Sequence, residues 1–222
     1  MGIKVLVTGS TGMVGKGVLL EALEEQAIEQ VILLNRNSIS IQHPKIKEIV
    51  LKDFTNVSSV KNEIGIIDAC FHCMGVSSLG MNEEQFHALT FDITKALADT
   101  CYELNPDMVF NYVSGTGTDS SERGKVMWAR VKGKTENYLL SKGFKKSYQF
   151  RAGAIIPEKG VKSSTTWYNA LYVILRPLFP LMKKMKGITT STMLGRAMIN
   201  SINAPQQTPV HLENQDINVL AK

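Results

Sequence analysis

Three glycines, Gly9, Gly12 and Gly15, follow an apolar run and open a stretch of helical period. In Thr8-Gly9-Ser10-Thr11-Gly12-Met13-Val14-Gly15 each has a separate use. Gly9 permits a tight turn, Gly12 lets backbone approach an anion with no Cβ between, and Gly15 lets helix pack closely on strand. The unpaired N–H groups and dipole of a helix's first turn make a phosphate site, here at Thr11, Gly12, Met13 and Val14. Between a strand and a helix, this spacing points to the pyrophosphate of a dinucleotide, against the plain alternative of a structural glycine turn. A nucleotide-triphosphate loop requires Gly at position 10 and Ser or Thr at position 17, where this chain has Ser10 and Gly17.

The second strand ends in Leu34-Asn35-Arg36. An acid here accepts from the ribose 2′-hydroxyl of NAD. Asn35 and Arg36 stand there instead, and a guanidinium holds a 2′-phosphate by charge-assisted, bidentate bonds. The expected cofactor is therefore NADP(H) in preference to NAD(H), with a solvated surface arginine as the competing reading. Asp53, beyond the third strand, is placed either to meet the adenine amino group or to cap a turn. Cys73, Met74 and Gly75 end the fourth strand beside the cofactor.

Other constellations point elsewhere. Cys70 and Cys73 lie three apart in an apolar strand, so they face opposite ways and do not share a metal. His43, His72, His87 and His211 lack ligand spacing, and no metal site is expected. A nucleophile elbow needs Gly two residues before Ser114, where Tyr112 stands.

The elements that must position these residues alternate. Apolar runs at 3–7, 31–34, 46–51, 66–74, 108–113 and 148–151 read as strands; 13–25, 83–104 and 125–141 read as helices. Asn82, with Glu83 and Glu84 behind it, caps the second helix. The pattern predicts an α/β fold: a doubly wound, mainly parallel Rossmann sheet with a small C-terminal helical lobe. Residues 1–157 form the NADP-binding domain. Residues 158–222 form a substrate or interaction lobe over the crevice, within one structural unit, with helices expected at 167–186 and 193–202.

The chain has 222 residues and a formal net charge of +5. Residues 1–120 hold 8 Lys/Arg and 15 Asp/Glu, a net of −7, whereas residues 121–190 hold 15 and 3, a net of +12. That asymmetry favours a small anionic substrate, phosphorylated or otherwise; the alternative is a solvated basic face. No aromatic-interleaved basic stripe argues for nucleic acid. The segment from Trp167 to Lys186 is aromatic and aliphatic and ends in lysines, which allows peripheral membrane contact; a helix packed on the core is the preferred reading. Three cysteines and no evident signal peptide point to a cytoplasmic protein.

The glycine motif at 8–15 resembles that of the extended and atypical short-chain dehydrogenase/reductases, and Asn35-Arg36 resembles their NADP-preferring members. Val113-Ser114-Gly115-Thr116-Gly117 falls where that family carries a catalytic Ser or Thr. Val131-Lys132-Gly133-Lys134-Thr135-Glu136 is similar to the helix of the family lysine, and Phe150-Arg151-Ala152-Gly153 to its Arg-Pro-Gly. The likeness covers residues 1–157 and is strongest to small nucleoside-diphosphate-sugar-epimerase-like proteins. It implies that Ser114 or Thr116 orients substrate and that Lys132 holds the nicotinamide ribose. One position departs: four residues before Lys132, where the resemblance implies a catalytic tyrosine, stands Trp128. Indole has no titratable hydroxyl. Tyr112, Tyr138 and Tyr168 are phenols elsewhere in the chain. Two readings follow, an NADP-dependent oxidoreductase or epimerase-like enzyme and a weakly catalytic or non-catalytic NADP-binding sensor or assembly protein.

Overall fold

A computed structural model describes residues 2–161, 179–182, 185, 187–205 and 207–222. Seven strands form one all-parallel sheet: β1 (Ile3–Thr8), β2 (Ile28–Asn35), β3 (Ile46–Val50), β4 (Ala69–His72), β5 (Val109–Val113), β6 (Lys146–Arg151) and β9 (His211–Glu213). Their order is β3-β2-β1-β4-β5-β6-β9. The chain winds outward from β1 to β3, returns to β4, and winds outward the other way. The order therefore reverses between β1 and β4, the place where such sheets bind ligands.

Alternate side chains go to opposite faces, as the strand pleat demands. Val5, Val7, Val31, Leu33 and Phe71 pack on one face against Val18, Leu19 and Ala22 of helix α1 (Met13–Glu24). Leu6, Ile32, Leu34, Cys70 and Phe110 pack on the other, against Phe54 and Val57 and against Leu97, Ala98 and Cys101. Both faces are covered, so the strands read as continuous apolar runs.

On the second face lie a 3-10 segment Phe54–Val60, α2 (Lys61–Ile64), α3 (Glu83–His87), a π turn Ala88–Asp92, α4 (Ile93–Leu104) and α5 (Met127–Ser141). Asn82 caps α3 by a reciprocal pair with Gln85. The expected helix at 83–104 is thus continuous in course but widened by the π turn.

The C-terminal residues supply β7 (Ala154–Ile156) paired to β8 (Ile188–Thr190), a four-residue helix α6 (Phe179–Met182), α7 (Ser191–Asn200), and α8 (Asn214–Leu220). Three-residue strands have too few alternations to register as a period, and the sequence pattern does not show them. The expected helix at 167–186 lies largely outside the described residues. The one at 193–202 is α7 followed by a 3-10 turn, Ser201–Asn203. Helix α7 lies directly on α1. A Cβ on Gly17 would stand 2.8 Å from that of Ser191, and one on Gly195 would stand 2.7 Å from Cγ of Glu21. Leu194, Ala197 and Met198 thereby join the same core as Val18 and Leu19. No described helix is long and apolar enough to cross a membrane.

Candidate functional site

Because every strand of the sheet runs the same way, the residues singled out above meet along one edge. Gly9 follows β1 with φ +72°, a left-handed conformation that suits glycine. A side chain there would drive its Cβ to 2.7 Å from the Cys73 carbonyl, so the turn and the end of β4 touch. A Cβ on Gly15 would fall 2.2 Å from the Gly9 oxygen. Gly12 is the N-cap of α1, and its amide donates to the Gly9 carbonyl at 2.9 Å. A Cβ on Gly12 would meet only that oxygen, at 3.4 Å, so the fold itself leaves room for one.

The start of α1 has no side-chain cap and no acid in its first turn. Uncapped N–H groups beside Thr11, Met13 and Val14, with Gly12 open and Gly75 unobstructed, fit a pyrophosphate.

The end of β2 separates Asn35 from Arg36. Asn35 is buried; its amide oxygen accepts from Ser10 Oγ at 2.8 Å and its nitrogen donates to Glu48 at 3.0 Å. Glu48 also receives Ser38 Oγ at 2.5 Å and the Ile39 amide at 3.0 Å. Burial raises the Glu48 pKa, but these bonds outweigh it and hold the carboxyl below its ordinary value. Asn35 therefore braces the glycine turn from beneath. Arg36 is exposed and has no partner among the described residues. Lys52, which motif reading passes over, reaches the same loop by a 2.7 Å bond to Asn37. Asp53 caps the 3-10 segment, accepting from the amide and hydroxyl of Thr55 at 2.9 and 2.7 Å.

At the end of β4, Cys73 and Met74 are half-buried and Gly75 is exposed. Burial pushes the Cys73 thiol up. Among the described residues no cluster could hold a metal. His72, set aside above as a metal ligand, is buried between Thr8 Oγ1 at 2.7 Å and Thr94 Oγ1 at 2.9 Å. Thr94 donates to the Thr90 carbonyl at 2.6 Å, so it must accept from His72 Nε2–H, and Nδ1 must accept from Thr8. Burial pulls the His72 pKa down to about 3, which keeps this neutral tautomer. The chain of bonds ties the strand before the glycine turn to the π turn.

The β5–α5 corner holds the remaining candidates. Ser114 is buried, and its hydroxyl donates to Glu136 at 2.5 Å. Glu136 is itself 0% exposed. Arg151 reaches it through Nε at 3.1 Å and through Nη2, and His211 Nε2 lies 3.4 Å away. The bond to Glu136 raises the Arg151 pKa, so the guanidinium remains charged. Thr116 is exposed, and its hydroxyl lies 3.0 Å from both the Arg151 carbonyl and Glu213. The Lys132 amine donates to the Ser114 carbonyl. Burial pulls its pKa down to about 8, against an opposing pull from Glu136.

Trp128 is half-buried, and its ring tip lies 3.5 Å from where a Cβ of Gly117 would be. Of the other phenols, Tyr112 is buried with its pKa raised by burial, and Tyr138 donates to Asp99 of α4. Tyr168 is outside the described residues.

A parallel sheet in this order, with a glycine turn at its switch point, defines a Rossmann-type fold. The sequence matches the NAD dependent epimerase/dehydratase family over residues 5–173, and the chain belongs to that family. Solved structures share the fold at low identity. The Bordetella bronchiseptica enzyme WbmH in complex with NAD+ is 16% identical (TM-score 0.68), over 95% of this chain and 75% of that one. ADP-L-glycero-D-manno-heptose-6-epimerase from Helicobacter pylori is 16% identical with a TM-score of 0.67, over 99% and 81%. A short-chain dehydrogenase/reductase from Saccharomyces cerevisiae is 15% identical with a TM-score of 0.70, over 99% and 98%.

Proposed function

We propose that the protein is an NADP(H)-dependent oxidoreductase or epimerase-like enzyme. The observation that carries the cofactor choice is the division of labour at the end of β2. Asn35 is consumed inside the fold, while Arg36 is exposed and unpaired among the described residues. A guanidinium so placed suits a 2′-phosphate. When bound, the dinucleotide supplies hydride chemistry to the site. Thr11, Met13 and Val14 hold its pyrophosphate by backbone N–H groups, Gly12 leaves the approach open, and Lys132 lies near the β5 end to hold the nicotinamide ribose.

The substrate enters beside the loop that joins β5 to α5. Arg123 and Lys125 are exposed there, without side-chain partners among the described residues, and they favour an anionic compound. Arg130 Nη1 donates to the Gly124 carbonyl at 2.6 Å and Asn137 donates to the Ser120 carbonyl at 2.9 Å, so the loop is held firmly.

Trp128, together with a Ser114 hydroxyl already spent on Glu136, favours a second reading, an NADP(H)-binding protein of weak catalysis. Two measurements separate them. NADPH titration, followed by nicotinamide fluorescence, should saturate under either reading. NADPH oxidation against a panel of neutral and phosphorylated carbonyl compounds should show turnover only under the first. Absence of NADPH binding would refute both.

A further inference from the structure

A carbonyl carbon that gains a hydride leaves its oxygen in need of a proton, and a positioned group of suitable pKa must provide it. The described residues at the β5–α5 corner offer few. Trp128 has an indole N–H that does not titrate. Ser114 and Thr116 are bonded to Glu136 and Glu213. Tyr112 is fully buried, with its hydroxyl bonded to Thr135 and its pKa pushed up by burial, and Tyr138 is turned to Asp99. Glu136 is enclosed and held by Arg151.

Lys132 differs from all of these. Its amine has one bond, to the Ser114 carbonyl, and an ammonium has three N–H groups to give. The amine lies 3.8 Å from where a Cβ of Gly115 would be. Gly115 keeps a side chain out of the space beside it, and Trp128, one helical turn away, stands over Gly117.

We propose that Lys132 is itself the proton donor and acceptor of the reaction, a catalytic rather than only a ribose-holding residue. This rests on the reading of the protein as an NADP(H)-dependent oxidoreductase. In the reducing direction the substrate carbonyl carbon receives a hydride from the reduced dinucleotide. The carbonyl oxygen takes a proton from the Lys132 ammonium, giving an alcohol, an oxidised dinucleotide and a neutral amine. Water then restores the proton to the amine, and oxidation of the alcohol is the reverse.

The surroundings support such a cycle. Burial brings the amine to about pH 8, inside the range where a lysine serves as acid or base. Among the described residues the charged group acting on it is Glu136, one turn along its own helix; Tyr112 from β5, Arg151 from β6 and His211 from β9 gather on that carboxylate rather than on the amine. Glu136 alone would hold the ammonium charged. Burial outweighs that pull and lets the lysine titrate, while Arg151 binds the same carboxylate through two nitrogens.

The test begins without cofactor. Lysine Nζ signals of isotope-labelled protein are followed against pH, with Lys132 assigned by its absence in Lys132→Arg. A midpoint near 8 is expected, and a midpoint at or above 10 would overturn the proposal. With NADPH present, Lys132→Arg should still bind, since the charge is kept, but should lose on the order of 100-fold in carbonyl turnover, because arginine does not release its proton. Wild-type reduction should fall above pH 8. Tyr168→Phe should keep wild-type turnover; its loss there would assign the proton to that phenol and overturn the proposal. NADPH binding by wild type with no turnover of any carbonyl would also overturn it. Failure of NADPH to bind at all would instead refute the functional reading beneath it.

Discussion

Gly12 and Gly15 differ in what forbids a side chain, and that difference separates folding from binding. At Gly15 the obstacle is the protein's own Gly9 carbonyl, 2.2 Å from a Cβ. At Gly12 the nearest atom is 3.4 Å away. Gly12→Ala should therefore keep its thermal midpoint within a few degrees and lose dinucleotide affinity by tenfold or more, read by NADPH titration. Unchanged affinity would mean that no phosphate approaches this turn. His72 carries a second residue-scale consequence. Its pKa is about 3 folded against an ordinary 6.5, so between these values the unfolded chain binds the extra proton. The stability tied to neutral His72 is full above pH 6.5 and is lost as pH falls toward 3, by at most about 1.4 kcal/mol per pH unit. His72→Gln, whose amide offers both a donor and an acceptor, should flatten that limb in urea unfolding followed from pH 7 to 4. An equally steep limb in the variant would assign the acid sensitivity to other groups.

At the scale of elements, the crossing of α1 and α7 is set by two glycines rather than by interdigitated large side chains. Gly17→Ala puts a Cβ at 2.8 Å from Ser191 Cβ and 3.0 Å from its carbonyl, so one helix must move. Overpacking of this kind costs about 1–3 kcal/mol, and the urea midpoint should fall accordingly. An unaffected midpoint would show that α7 rides loosely on α1. These helices also mark how far the sequence is legible. The glycine turn and the first six strands can be read because their signals are local: glycine spacing, apolar runs and a cap at Asn82. The seventh strand, His211–Glu213, cannot, because three residues carry no period and their place is decided by β6. The site divides in the same way. That Ser114, Lys132 and Arg151 belong to one corner is implied by the family resemblance of the segments after β5, on α5 and at the end of β6. That Ser114 turns its hydroxyl to Glu136, 22 residues away, depends on tertiary packing that no local pattern encodes.

For the whole molecule, the charge asymmetry along the chain is partly cancelled in space. Arg130 pairs with Glu83 at 2.6 Å, Lys142 with Asp99, and Lys159 with Glu21 and Glu24 at 2.6 Å each. Every one of these joins the basic stretch at 121–190 to the acidic stretch at 1–120. The acidic stretch nevertheless carries the glycine turn, and a net of −7 opposes a polyanionic ligand. Under the proposed function, binding there rests on local donors: the α1 amides for the pyrophosphate and Arg36, beside Lys52, for a 2′-phosphate. That makes the preference for NADP(H) the most exposed claim of the account. The decisive measurement is calorimetric titration of the wild-type protein with NADPH and with NADH at one ionic strength, repeated on Arg36→Ala. A charge-assisted contact contributes about 1.5–3 kcal/mol, which predicts on the order of 10- to 100-fold tighter binding of NADPH and loss of most of that ratio in the variant. Equal affinities in the wild type, or a preference that survives Arg36→Ala unchanged, would contradict it.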